Sequence, residues 1–169
     1  DMVSTDGVAS SGIIAQALGG AFVSVDQSVG TRGDDATAIF ADGGIHSSVN
    51  VDTVATLGHD ASAIVIRGDT LTREAVDDMP SISIDAGTIG TRGQRSIGID
   101  AQSSGEYGNI AIALGSLSTE GDGATGVHAR ARSADILLAA SGDIHTHGDG
   151  ATAIDAWNDA GTISLAVQN

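Results

Sequence analysis

A six-fold internal repeat constrains this chain more than any other feature. The string TDGVASSGIIA, starting at Thr5, returns as TRGDDATAIFA at Thr31, TLGHDASAIVI at Thr56, TRGQRSIGIDA at Thr91, TEGDGATGVHA at Thr119 and THGDGATAIDA at Thr146. The shared rule is Thr, any residue, Gly, two variable residues, Ala or Ser, one more, Ala or Gly, an aliphatic, one more, and usually Ala. Successive Thr positions are separated by 26, 25, 35, 28 and 27 residues. A period of this length marks a solenoid, because one repeat is too small to bury its own apolar face and needs a neighbour stacked on it.

Apolar residues alternate with polar ones upstream of each Thr, as at Val23 and Val25, Val49 and Val51, Ile82 and Ile84, Ile110 and Ile112, and Ile136 and Leu138. Period-two alternation in short runs specifies strand. One residue separates Val29 from Thr31, Val54 from Thr56, Ile89 from Thr91, Leu117 from Thr119 and Ile144 from Thr146, so each Thr shares the inward face of its aliphatic. The third strand of a repeat carries inward ranks such as Thr37, Ile39, Ala41 and Ser62, Ile64, Ile66. Its outward pairs are Gly12 and Ile14, Ala38 and Phe40, Ala63 and Val65, Gly98 and Asp100, Gly126 and His128, and Ala153 and Asp155. The expected fold is all-β, a right-handed parallel β-helix of about six coils with three strands per coil. At a spacing of about 4.8 Å it would stand roughly 30 Å tall.

Composition supports a narrow aliphatic interior. The chain holds 24 Gly, one Pro, 2% aromatics and no Cys, while 41% of its residues are hydrophobic. Large rings cannot fill such a core, and the aliphatic content argues against disorder. A helical repeat is excluded by the Gly-rich, β-branched, alternating segments. The net charge of −15 disfavours nucleic acid and anionic membrane as partners. No run reaches the length of a membrane-spanning helix, and a secretion signal would lie outside the sequence given.

The Gly two residues after each Thr falls where the chain turns a corner, and the Ala or Ser three residues later fits a tight interior bend. The long interval between Thr56 and Thr91 contains RGDTLTREAVDDMP, an insertion over 67–80. Thr70 or Thr72 is placed to cap a short helix with Leu71, Ala75, Val76 and Met79 on one face and Pro80 at its end. A loop or helical turn against the solenoid wall is expected there, within a single solenoid segment over 1–169.

At Ser11 through Gly20, SGIIAQALGG, the sequence resembles the passenger repeats of proteobacterial autotransporters, in which short units ending like GIVAQSIGG recur. Later copies keep Thr-x-Gly, the small residue and the aliphatic but lose the Gln and the double Gly. The resemblance spans essentially the whole chain. It implies a fragment of a longer passenger displayed outside the cell by an outer-membrane β-barrel, and it leaves activity open, because this family carries adhesins, proteases and bare stalks on one scaffold.

Several constellations in the sequence bear on chemistry. Arg32-Gly33-Asp34 and Arg67-Gly68-Asp69 are RGD tripeptides, the second at the mouth of the insertion, where loops more often carry function. In the first, the Gly is the repeat's corner residue. Asp122 and Asp149 stack in consecutive corners, but the repeat lacks the nonapeptide of calcium-binding solenoids. His145 and His147 face outward together without an obvious third ligand. Glu74, Asp77 and Asp78 form no evident catalytic pair, and inward Thr columns do not suit ice binding. No cofactor is expected.

The expected function is therefore a non-catalytic extracellular structural or adhesive module, with a carbohydrate-active β-helix enzyme, a lyase or glycosidase, as the alternative. Partners would be a host or bacterial surface protein or glycan, or neighbouring copies, without direct insertion into a membrane. Uncapped terminal coils would favour end-to-end association. The candidate binding surface comprises Ile14, Phe40 and Val65, an outward apolar stripe, together with Arg67, Gly68 and Asp69. Leu71, Val76 and Met79 of the insertion are expected to fold over that stripe.

Overall fold

Alternating aliphatics build two parallel sheets that wind around one dry core. The computed structural model describes residues 2–68, 81–106 and 108–168. The first sheet contains β1 (Met2–Asp6), β3 (Gly20–Arg32), β5 (His46–Leu57), β7 (Ile82–Arg92), β9 (Ile110–Glu120), β11 (Ile136–Ala140) and β14 (Ile163–Val167) in that spatial order, with β12 (Ile144–His147) also paired to β9. The second stacks β2 (Ile13–Ala17), β4 (Thr37–Gly43), β6 (Ser62–Gly68), β8 (Ile97–Ser103), β10 (Thr125–Ala131) and β13 (Thr152–Asn158). Every strand pairs in parallel with its counterpart one coil away. The chain is thus a parallel β-solenoid of about six turns, consistent with a right-handed β-helix, and the described residues contain no helix and hence none long enough to cross a membrane.

The first two strands of each repeat run together in the middle coils. They form single long strands such as β3, with an irregularity of register between Val25 and Ser28, and separate only as β11 and β12. The aliphatic two residues before each Thr forms one inner column, Val29, Val54, Ile89 and Leu117. The aliphatic of the second sheet forms another, Ile39, Ile64, Ile99 and Val127. Both are sealed from solvent and belong to a single core cluster. Full burial of such side chains contributes roughly 1.5–3 kcal/mol each.

Corner chemistry explains the invariant spacing of the repeat. Gly33, Gly58, Gly93, Gly121 and Gly148 have φ between +136° and +155°. A Cβ at any of them would fall on the carbonyl oxygen of the corner glycine one coil earlier. Only Gly tolerates both constraints. Two residues further on, Ala9, Asp35, Asp60, Arg95, Gly123 and Gly150 all lie in the left-handed region, at φ 54–66°. The second variable position of the repeat is therefore variable in side chain but fixed in backbone. The small residues that follow, Ala36, Ala61, Ser96 and Ala124, are fully buried in the interior bend.

Thr31, Thr56, Thr91 and Thr119 are buried and in register, so the Thr column points inward. Their hydroxyls find no hydrogen-bond partner among the described residues. The outward pairs assigned to the third strand need correction at their first member. Ala38, Ala63, Gly98 and Gly126 are buried, whereas Thr37, Ser62, Ile97 and Thr125 are partly exposed. A Cβ at Gly98 or Gly126 would meet the side chain of Leu117, and one at Gly12 would meet Val29. These positions are small because the entering bend turns them into the core just ahead of the regular alternation.

Candidate functional site

Beyond that bend, strict alternation resumes, and the outward face of the second sheet presents two neighbouring columns. The first runs Ile14, Phe40, Val65, Asp100, His128, Asp155, each residue in register with the next. Two residues further along each strand the second runs Gln16, Asp42, Arg67, Gln102, Arg130, Trp157. The first column is apolar in the early coils and polar in the late ones, whereas the second is polar along most of its length and ends on Trp157.

In the early coils the anticipated stripe is graded in exposure. Ile14 is 62% exposed, Phe40 half-buried and Val65 only 8% exposed. Asp69 and the insertion residues Leu71, Val76 and Met79, expected to cover the stripe, lie outside the described residues. Gly68 is buried between Gly43 and Ser103 of adjacent coils. Arg67 turns its guanidinium along the sheet onto the next coil instead of standing free beside Gly68.

There Arg67 meets Asp100. Its Nη2 donates to Asp100 Oδ2 at 2.8 Å, and its Nη1 donates to the Asp100 carbonyl at 3.4 Å. Gln102 Nε2 donates to Asp100 Oδ1 at 2.9 Å, and His128 Nδ1 lies 2.9 Å from the same oxygen. Burial alone would raise the Asp100 pKa. The hydrogen bond and charge of Arg67, with the hydrogen bonds of Gln102 and His128, outweigh it and hold the carboxyl below its ordinary range. An ionised carboxylate only accepts, so His128 carries its proton on Nδ1. His128 Nε2 stands 3.7 Å from Asp155 Oδ2, which Arg130 Nη2 approaches at 4.0 Å. Asp100, His128 and Asp155 thus form a polar ladder across three coils, joined at its early end to Arg67 of the neighbouring column.

Beside the ladder, at the corner where the chain leaves the second sheet, lies an open groove of about 590 Å³. Arg67, Gln102, Arg130 and Trp157 form its floor along the solenoid axis, Ser103, Ser104 and Arg132 its outer wall, and Asp42 and Asp159 line it as well. Three of the seven basic residues of an acidic chain gather here beside its one Trp, which is 51% exposed. Arg132 makes no ion pair among the described residues. Arg92 and Arg95, by contrast, are matched with Glu120 and Asp60 on other faces.

The remaining candidates serve the scaffold. Asp34 of the first RGD accepts from the His59 N–H at 2.8 Å, and Asp122 accepts from the Asp149 N–H at 3.0 Å, so corner carboxylates stitch consecutive coils. His145 and His147 are exposed on β12. Among the described residues no group of three or more His, Asp or Glu gathers to hold a metal ion. Of the anticipated surface residues that are described, Arg67 and Gly68 line the groove. Gln102, Arg130, Arg132 and Trp157 were not anticipated, although the floor residues all stand eleven positions after a repeat Thr. Comparison with protein-family models, curated proteins and solved structures finds no match. Fold and site define the class of the protein as a parallel β-solenoid with one polar, arginine- and tryptophan-lined face.

Proposed function

We propose that this chain is a non-catalytic adhesive module of a secreted bacterial surface protein, of the autotransporter passenger kind, displayed outside the cell from the outer membrane. The observation that carries the reading is the groove, where Arg67, Arg130 and Arg132 converge with Trp157 on an otherwise acidic solenoid. Clustered arginine and tryptophan are side chains enriched where proteins make their energetically dominant contacts. The carboxylates beside the groove suit recognition better than hydrolysis. A general acid needs a raised pKa, whereas Asp100 is held low by Arg67. The partner is then a surface protein or glycan on a host or bacterial cell.

Beads coated with the protein should adhere to a cell surface in a salt-sensitive manner, and adhesion should drop for Arg130→Ser with Arg132→Ser. Adhesion indifferent to both substitutions would break the link to the groove. Sustained release of new reducing or unsaturated ends from oligosaccharides, abolished by Asp100→Asn or Asp155→Asn, would overturn the non-catalytic reading in favour of the enzyme alternative.

A further inference from the structure

We infer that the groove is a subsite for an acidic glycan that carries both carboxylate-bearing and neutral N-acetylated sugars. The inference rests on the adhesive reading and names its ligand class. Successive coils set Arg67, Gln102, Arg130 and Trp157 in one column, so its four side chains span about 14 Å at strand spacing. Arg67 and Gln102 already give hydrogen bonds to Asp100, so the acid of a ligand falls to Arg130 and to Arg132, which has no ion pair among the described residues. An arginine fork matches a carboxylate, and an amide matches an acetamido group.

Trp157 closes the column. Its ring is half exposed beside Arg130 and offers an apolar body for the face of a sugar, with a polar tip at its edge. Asp42 and Asp159 bound the groove and repel acid beyond the cationic stretch. An extended acidic peptide fits less well. The backbone groups of β8 and β10 are already spent on their neighbouring coils, so a peptide lying across Gln102 and Arg130 finds no strand edge to pair with; the outer edge of β13, last in its sheet, lies beyond Trp157. Recognition there depends on projecting side chains alone.

Trp157 is the only Trp in the chain, so intrinsic fluorescence reports on this groove. The full chain is titrated with a tetrasaccharide of alternating glucuronate and N-acetylhexosamine, and separately with its methyl ester, which keeps the rings and loses the charge. A saturable fluorescence change with the acid form is expected. Binding of the ester, and binding by Arg130→Ser or Arg132→Ser, should be weaker by about tenfold or more, the loss of one charge-assisted hydrogen bond. Calorimetry on the same samples covers binding that the ring does not sense, and melting curves confirm that each variant is folded. Equal affinity for acid and ester, no saturable binding, or binding untouched by the Arg substitutions would overturn the inference and leave the adhesive reading standing. Saturable binding followed by cleavage would support the subsite and overturn the non-catalytic reading.

Discussion

The early and late coils share one interior and differ on one face. Ile39 and Ile64 in the early half occupy the same inward register as Ile99 and Val127 in the late half, and all four are fully buried. On the outside of the same strands, Ile14, Phe40 and Val65 give way to Asp100, His128 and Asp155. Stacking demands small or aliphatic residues inward at every coil, because each must fit the coil above and below. It demands nothing of the outward residue beyond compatibility with its column neighbours. The scaffold therefore constrains the inward residues at every coil and leaves the outward ones free to differ between halves.

The largest test exchanges the two outward characters. Phe40→Asp removes apolar contact beside Val65 and places a charge on a half-buried site, at a cost of about 1–3 kcal/mol. A solvated His128 would make the matching His128→Asp nearly silent. The structure instead has His128 bridging Asp100 and Asp155, so the new carboxylate would complete a run of three like charges. Comparable losses at the two sites are expected by chemical denaturation. A large loss at 40 with none at 128 would show that the late ladder contributes nothing.

A second test uses acid to separate the halves. Asp100 has a folded pKa below its unfolded value, so its contribution is fully present above the ordinary carboxylate pKa of about 3.9 and is lost as pH falls through the folded value. Hydrogen exchange below that pH should show β8 and β10 loosening ahead of β4, and Asp100→Asn should remove most of the difference. Uniform loosening would mean that the ladder does not govern the late coils.

The smallest test asks whether the interiors are truly alike. Thr56 and Thr119 bury hydroxyls without partners in the early and late halves respectively. Valine keeps their shape and deletes the unsatisfied group, so Thr56→Val and Thr119→Val should each raise stability by about 1 kcal/mol. Destabilisation at either position would reveal a hydrogen bond that only one half makes.

The sequence by itself determined the solenoid: the Thr-x-Gly period set coil length and corner, and period-two aliphatics set which residues stack inward. Those are local rules repeated six times, legible because each copy confirms the next. Only the tertiary structure decided that Ala38, Ala63, Gly98 and Gly126 turn inward, since a bend interrupts the alternation that assigns faces. It alone brought Arg67, Gln102, Arg130 and Trp157 into one groove. All four stand eleven positions after a repeat Thr, one residue past the shared rule, so the period aligns them while their dissimilar side chains carry no signal of a common groove. What unites them is coil-to-coil register, a long-range pairing that places residues about thirty positions apart within one strand spacing of each other.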